Sequence, residues 1–283
     1  MIDLHTHTTA SDGRFTPPEL VARAAAAGVT VLAVTDHDTV AACNDVAAAC
    51  HSAAIAHVPG IEITAVRDGS DVHVLGYFID IGSQPLLAFL AEQRRRRIDR
   101  LRLMIDALVP LGITLDADEL LRPAIDDPSI AAGRPWIADA LVAGGHAADT
   151  DEAFERWLSR GRPAFVPRLG ASPEEVIARI HEARGLASLA HPRLLGHDEW
   201  IAGLVSSGLD ALEAYHSQHD ADATTRYLAM AKSLGAAVSG GSDYHGSESH
   251  GPDRPGAVSL PRDEYERLVR LKPDATSGSS SSG

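Results

Sequence analysis

Two histidines stand two residues apart near the start of the chain, in Asp3-Leu4-His5-Thr6-His7. On an extended strand, positions i and i+2 leave the same face, so both imidazoles can converge on one ion. Neutral imidazole suits zinc, iron or manganese. Taken alone, His-x-His also reads as two polar residues at a strand mouth, and its neighbours are what favour ligation. Ser11-Asp12-Gly13 follows within one loop, and Thr35-Asp36-His37-Asp38 closes the next apolar run with three titratable groups in a row. Packing requires none of them.

Gly60-Ile61-Glu62 then supplies a carboxylate able to bridge two cations. His73 lies among Val72, Val74 and Leu75, where it reads either as a hydrogen-bonded core histidine or as a ligand. Leu189-Ala190-His191-Pro192 again ends an apolar run with an imidazole, and Ser242-Asp243-Tyr244-His245 does so after Gly240-Gly241. Apart from Glu62 and His73, every candidate ligand falls at or just after the C-terminal end of an expected strand. That rim is where β/α barrels build active sites.

The elements that would position these groups follow from pattern and punctuation. Apolar, β-branched runs predict strands at residues 2–4, 29–35, 61–66, 72–78, 186–190, 209–215 and 236–239. Thr16 as N-cap, Pro17 and Pro18 in the first turn and Glu19 near the positive end of the dipole predict a helix ending near Gly28. Further helices are expected at 40–54, 173–184 and 221–234. Between residues 84 and 165 the pattern turns helical, opening with an amphipathic stretch through Arg94, Arg95, Arg96, Arg97, Leu101, Ile105 and Leu108. This predicts a helical insertion between two barrel segments, 1–83 and 166–273. The four arginines read as a solvated face, because Glu92, Asp99 and Asp106 are interspersed with them; a binding role is the alternative. Residues 274–283 are Ser/Gly-rich and read as a disordered tail or a leftover of cloning.

With 283 residues, 45% of them hydrophobic, the chain can bury a full core. A formal charge of −14 argues against a broad electrostatic grip on duplex nucleic acid while leaving room for nucleotides held locally. Cys43 and Cys50 fall within one expected helix, so they are read as packed thiols in a reducing cytoplasm. Apparent site chemistry begins by His5, which leaves no space for a secretion signal. No apolar run approaches the roughly 20 residues of a membrane span, so no membrane partner is expected. No Gly-x-Ser-x-Gly elbow or P-loop is present to supply another chemistry. Nothing in the composition selects an oligomeric state.

The ordered motifs DLHTHTTASDG, TDHD, GIE, His73, LAHP and SDYH resemble the PHP (polymerase and histidinol phosphatase) family. The resemblance covers residues 1–78 and about 166–245. It implies an α/β fold, a distorted (β/α)7 TIM-like barrel, and the helical insertion is typical of one branch. That branch holds the 3′,5′-nucleoside bisphosphate phosphatases and the 5′-to-3′ exonucleases that trim short RNA ends. By resemblance, His5, His7, Glu62 and Asp243 would hold one metal, Glu62, His73 and His191 a second, and Asp12, His37 and His245 a third. Two to three divalent ions are thus expected, with manganese, iron or zinc fitting the donors and magnesium compatible. Two cations sharing Glu62 would lie about 3.5 to 4 Å apart and acidify a water between them. Asp36 and Asp38 would orient His37 and its neighbours, with loop capping the alternative for Asp38.

Substrate contacts are expected from Arg134, in Gly133-Arg134-Pro135, and from Arg193, directly after His191-Pro192; either could hold a phosphate bidentately. Glu62, His191, Arg134 and Arg193 are therefore the expected catalytic groups. The branch often reads Gly-Arg-Pro-His at the first of these sites, whereas Trp136 stands here, and it would either stack on a base or pack in the core. His216 and His219 follow the sixth strand and could bind a second phosphate, or be surface histidines without a role. The resulting expectation is hydrolysis of nucleotide phosphomonoesters, and of short oligonucleotide 5′ ends, by a hydroxide bridging the metals. The alternatives are metal-dependent hydrolysis of a C–N bond and a non-catalytic metal-binding regulatory module.

Overall fold

The computed structural model describes residues 1–127, 130, 132–246 and 251–272; the expected tail at 274–283 lies outside them. Seven strands lie side by side in chain order: β1 (Ile2–Asp3), β2 (Val31–Val34), β3 (Ala56–Arg67), β4 (Ser70–Tyr77), β5 (Leu186–Leu189), β6 (Ala211–His216) and β7 (Ala237–Gly241). Each overlaps an expected strand, although β3 begins at Ala56. The sheet curls until β7 meets β1, where the Leu4 N–H donates to Gly240 O at 3.2 Å and the Asp243 N–H to His5 O at 2.8 Å. The result is a nearly closed barrel. Gly241 permits that seam, because a Cβ there would lie 2.3 Å from the His5 nitrogen.

The strands β1, β2 and β3 run parallel, as do β5, β6 and β7, but β4 is antiparallel to both of its neighbours. This modifies the succession of seven β/α units that the resemblance implied. Arg67 pairs with Ser70 across Asp68 and Gly69, whose φ values are 51° and 74°. An Asp-Gly pair with both residues left-handed is the type I′ hairpin turn, and two residues leave no room for a crossover helix. The extended β3–β4 hairpin therefore overshoots the barrel rim.

Apolar faces of the helices close the outside of the barrel. From α1 (Pro17–Ala26), Leu20 and Val21 pack with Val46 and Cys50 of α2 (Cys43–Ser52) against Leu32 and Val34. Cys43 and Cys50 are buried free thiols, matching the expectation. Each fully buried aliphatic side chain of this kind contributes about 1.5 to 3 kcal/mol. Within the insertion, α3 (Gln84–Asp106), α4 (Ala117–Asp126), α5 (Arg134–Ala143) and the short α6 (Thr150–Ala153) surround a separate apolar cluster that includes Met104, Leu121, Ile137 and Leu141.

Helix α7 (Pro173–Glu182) starts at Ser172, whose side chain accepts from Glu175 N, and buries Val176, Ile177 and Ile180. The short α8 (Pro192–Leu195) and α9 (Ile201–Ser206) precede β6, and α10 (Ala221–Leu234) is capped by Asp220. A last helix, α11 (Arg262–Arg270), was not anticipated; it buries Leu268 and packs Tyr265 against the core. Among the described residues, no helix is long and apolar enough to cross a membrane.

Candidate metal and phosphate site

The loops after β1, β2, β5 and β7 bring His5, His7, Asp12, His37, His191, Asp243 and His245 to one rim. Glu62 and His73 join them from within strands, and the hairpin explains how. Because β3 runs past the rim, Glu62 sits mid-strand opposite His37, with which it forms an isolated parallel bridge. Because β4 is reversed, its early residue His73 reaches the same rim, and its carbonyl accepts from Ala190 N at 3.0 Å, next to His191.

The Glu62 carboxylate divides its oxygens between two groups of imidazoles. Oε1 lies 2.7 Å from His73 Nδ1 and 3.2 Å from His191 Nε2. Oε2 lies 3.1 Å from His5 Nε2, 3.3 Å from His7 Nε2 and 3.3 Å from His37 Nδ1. Asp243 Oδ1 stands 3.2 Å from His5 and 3.1 Å from His7. Asp12 faces His245 at 3.2 Å, His37 at 3.6 Å and His7 at 3.7 Å. Potential ligand atoms thus gather as His5, His7, Glu62 and Asp243; as His37, Glu62 and His73; and as His7, Asp12, His37 and His245.

This donor set fits divalent cations. Five imidazole rings converge on Glu62, and a neutral ring has only one N–H, so a nitrogen whose ring donates elsewhere turns toward the carboxylates a lone pair that a cation would accept. The His7 ring is fully buried, yet neither nitrogen has a hydrogen-bond partner of good geometry among the described residues. Burial alone would raise the Glu62 carboxyl, but His37, His73 and His5 hold it well below the usual carboxylate range. Burial likewise opposes a charge on His7, and the nearby carboxylates of Asp243, Glu62 and Asp12 nevertheless push it up to about 10. His37 goes the other way, to about 4, because burial and the neighbouring His7 and His73 outweigh Glu62 and Asp12. A site whose carboxylates hold a buried imidazole charged also attracts metal ions, which compete for the same lone pairs.

Several groups hold the ligands in place. Asp36 accepts from Thr8 N at 2.7 Å, Thr8 Oγ1 at 2.6 Å and Ser11 Oγ at 2.7 Å, pinning the loop that carries His7 and Asp12. Asp38 accepts from Thr64 N at 3.0 Å and pairs with Arg97 and, at 4.0 Å, with Arg168. Non-glycine residues seldom adopt left-handed backbone, yet Asp38 (φ 53°), His191 (φ 27°) and Asp243 (φ 56°) all do so at this rim. Such strain concentrates where side chains must be aimed.

Glu213 was missed in the sequence. It is fully buried in β6, accepts from His191 N at 2.7 Å and lies 2.9 Å from His5 Nδ1. A carboxylate inside the apolar run Leu212-Glu213-Ala214 was its one available signal. His216, read as a second phosphate contact or a surface histidine without a role, is buried and accepts at Nδ1 from Gln218 N at 3.1 Å. Its other nitrogen therefore carries the proton and donates to Asp243 at 3.3 Å. His219 donates from Nδ1 to Ala214 O at 2.9 Å, and its ring lies 5.2 Å from His216.

A cavity of about 580 Å³ opens beside the cluster, lined by Asp12, His37 and His73 and also by Arg97, Arg134, Arg168 and Trp136. Arg134 thus stands where a phosphate contact was expected, at the start of α5. Trp136 packs on the apolar cluster of the insertion and also lines the cavity. Arg193 is not among the lining residues; its guanidinium is tied to Gln218 O and to Asp220, each at 2.9 Å. Arg97 comes from the run read as a solvated face. Only part of that run is solvated, because a helix turns about 100° per residue. Arg95 and Arg96 pair with Glu92 outside, whereas Gln93, Arg97, Arg100 and Met104 share the face turned inward.

Comparison with known proteins agrees with this geometry. The PHP domain family matches residues 3–130. Over 250 residues the chain is 36% identical to the 5′-3′ exoribonuclease Rnm of Salmonella typhimurium, covering 86% of this chain and 84% of that protein. Over 257 residues it is 32% identical to a 3′,5′-nucleoside bisphosphate phosphatase of Chromobacterium violaceum, covering 89% and 90% respectively. A crystal structure from Bifidobacterium adolescentis, assigned as a metal-dependent phosphoesterase, superposes with a TM-score of 0.84 at 30% identity over 96% of each chain.

Proposed function

Since the chain belongs to the PHP family and is a hydrolase of phosphoric esters, we propose that it dephosphorylates nucleotides, 3′,5′-nucleoside bisphosphates above all, and trims short oligonucleotide ends. One observation carries this reading. A single cavity is lined both by members of the imidazole and carboxylate cluster and by Arg97, Arg134 and Arg168, at a size suited to one nucleotide.

On this reading His5, His7, Glu62 and Asp243 hold one ion, Glu62, His73 and His191 a second, and Asp12, His37 and His245 a third. Divalent ions bound there would polarise phosphoryl oxygens and acidify a water. The protein's own groups do the positioning. Glu213 fixes the His5 ring and the His191 backbone, and Asp36 fixes the loop of His7 and Asp12. Arg134 offers a planar pair of N–H donors to a phosphate, with Arg97 and Arg168 adding positive potential beside it. The insertion, residues 84–165, supplies Arg97, Arg134 and Trp136 and so acts as the specificity element. Net charge of −14 and a confined cavity favour single-stranded ends over duplexes. Buried free thiols suit a reducing cytoplasm.

Enzyme loaded with manganese is to be offered a nucleoside 3′,5′-bisphosphate, its 5′-monophosphate, a short oligoribonucleotide and a cyclic amide. Orthophosphate is expected from the bisphosphate fastest. Hydrolysis of the amide without orthophosphate release would favour C–N bond chemistry, and no turnover of any substrate would favour a binding module.

A further inference from the structure

A second cavity, of about 260 Å³, adjoins the first and shares Asp71, Arg134 and Arg168 with it. Its remaining walls are Gly69, Ser70, Arg100, Arg160, Phe165, Leu194 and Leu195, so four guanidinium groups meet one carboxylate. No residue of the metal-ligating cluster lines it. Among the described residues, Arg100, Arg134 and Arg160 form no ion pair, and Arg168 reaches Asp71 at 3.6 Å and Asp38 at 4.0 Å.

The charges here are held against their own repulsion. Arg100 is buried, with Nε donating to Val166 O at 2.7 Å and its guanidinium carbon 5.8 Å from the centre of the Phe165 ring. Burial, then the proximity of Arg134, lowers its pKa to about 10. Burial and the proximity of Arg97 do the same to Arg168, with Asp71 and Asp38 only partly offsetting them. Buried like charges without matching counter-charges are unfavourable, and an anion between them relieves the cost. Arg160 differs from these, being exposed and tied only to Ser70 Oγ at 3.4 Å, so it can turn onto an arriving group.

We propose that this second cavity is the subsite for the phosphodiester that follows the scissile one in a short single-stranded oligonucleotide whose scissile phosphate lies at the metal cluster. The inference rests on the nucleotide reading above and extends it. The dividing wall of Arg134, Arg168 and Asp71 serves both cavities, so a chain can pass from one to the other across two guanidiniums whose charge exceeds that of the one carboxylate between them. The smaller cavity suits a phosphodiester and part of its ribose, with the base left to stack outside. Phe165 supplies an aromatic face of the kind that binds bases without regard to sequence. Arg160 and Phe165 would then discriminate oligonucleotides from single nucleotides.

The test compares the wild type with R160A, R160K and F165L as manganese-loaded enzymes. Binding of a fluorescein-labelled, 5′-phosphorylated tetra-adenylate is followed by anisotropy against salt concentration, and turnover is measured on the tetranucleotide and on a nucleoside 3′,5′-bisphosphate. R160A is expected to weaken tetranucleotide binding roughly tenfold and to flatten the salt slope by about 0.7, the value for one lost phosphate contact on a single strand. R160K should keep the slope, F165L should weaken binding without changing it, and bisphosphate kinetics should stay within twofold in all three. An unchanged slope in R160A, or equal losses on both substrates, overturns the proposal. If wild type turns over neither substrate, the phosphatase reading fails while anisotropy still decides the subsite.

Discussion

The Nδ1 of His5 and Oε1 of Glu213 lie 2.9 Å apart, both groups fully buried. The ring presents its Nδ1–H to that carboxylate, which turns Nε2 toward Glu62 and Asp243, where a metal ion would take its lone pair. The other oxygen of Glu213 accepts from His191 N at 2.7 Å, so one side chain positions ligands from distant parts of the sequence. In E213Q the amide would turn an N–H toward one of these two donors, and that contact must break. The concentration of manganese giving half-maximal orthophosphate release should rise about 10- to 100-fold, the usual effect of removing the partner of a metal-bound histidine. An activation curve superimposable on the wild type would show that Glu213 positions nothing.

The arginines expected to bind phosphate occupy different surroundings. Arg134 lines the main cavity, whereas Arg193 is tied to Asp220 and Gln218 outside it. R134A should lose roughly 30- to 150-fold in kcat/KM on a nucleoside 3′,5′-bisphosphate, corresponding to about 2 to 3 kcal/mol for a charge-assisted bidentate contact. R193A should stay within threefold. Steady-state kinetics on both variants decide the matter, and the reverse ranking would place the phosphate on the far side of His191.

Much of the site was legible because its ligands end apolar runs. His5-Thr6-His7, Asp36-His37-Asp38 and Asp243-Tyr244-His245 each interrupt a pattern in which packing would place nothing titratable. Glu62 and His73 escaped that rule because β3 passes the rim and β4 returns antiparallel. The Asp68-Gly69 turn that causes this was itself readable from the sequence. Glu213 and Arg168 carried no spacing signature, since each is a lone charged residue whose partners are brought by distant strands. The inward arginines of α3 were hidden by their own run, in which composition suggested solvent and only the helical turn separates Arg97 from Arg95 and Arg96.

Away from the site, His181 Nε2 lies 2.8 Å from Asp210 Oδ2, and the same oxygen accepts from Ala187 N at the start of β5. The bond to Asp210 raises the His181 pKa, burial opposes the change, and the charge of Asp210 adds to it. A histidine whose folded pKa is raised contributes stability that is fully present below its unfolded pKa of about 6.5 and fades as pH climbs through the folded value. Thermal melting should therefore place H181Q below the wild type at pH 5.5, with the gap shrinking by pH 9. A gap that is constant or that widens with pH would show that the imidazolium contributes nothing.

Glu62 is the group on which the whole account turns, because its two oxygens separate His73 and His191 from His5, His7 and His37. Replacing it with glutamine keeps the volume and removes the charge shared by the two groups of ligands. The direct measurement is orthophosphate release from a nucleoside 3′,5′-bisphosphate by E62Q across a manganese titration, with bound metal determined on the same samples and folding checked by circular dichroism. The account predicts a folded barrel that holds less metal than the wild type and releases no orthophosphate above background at any manganese concentration. Wild-type turnover by folded E62Q would contradict it.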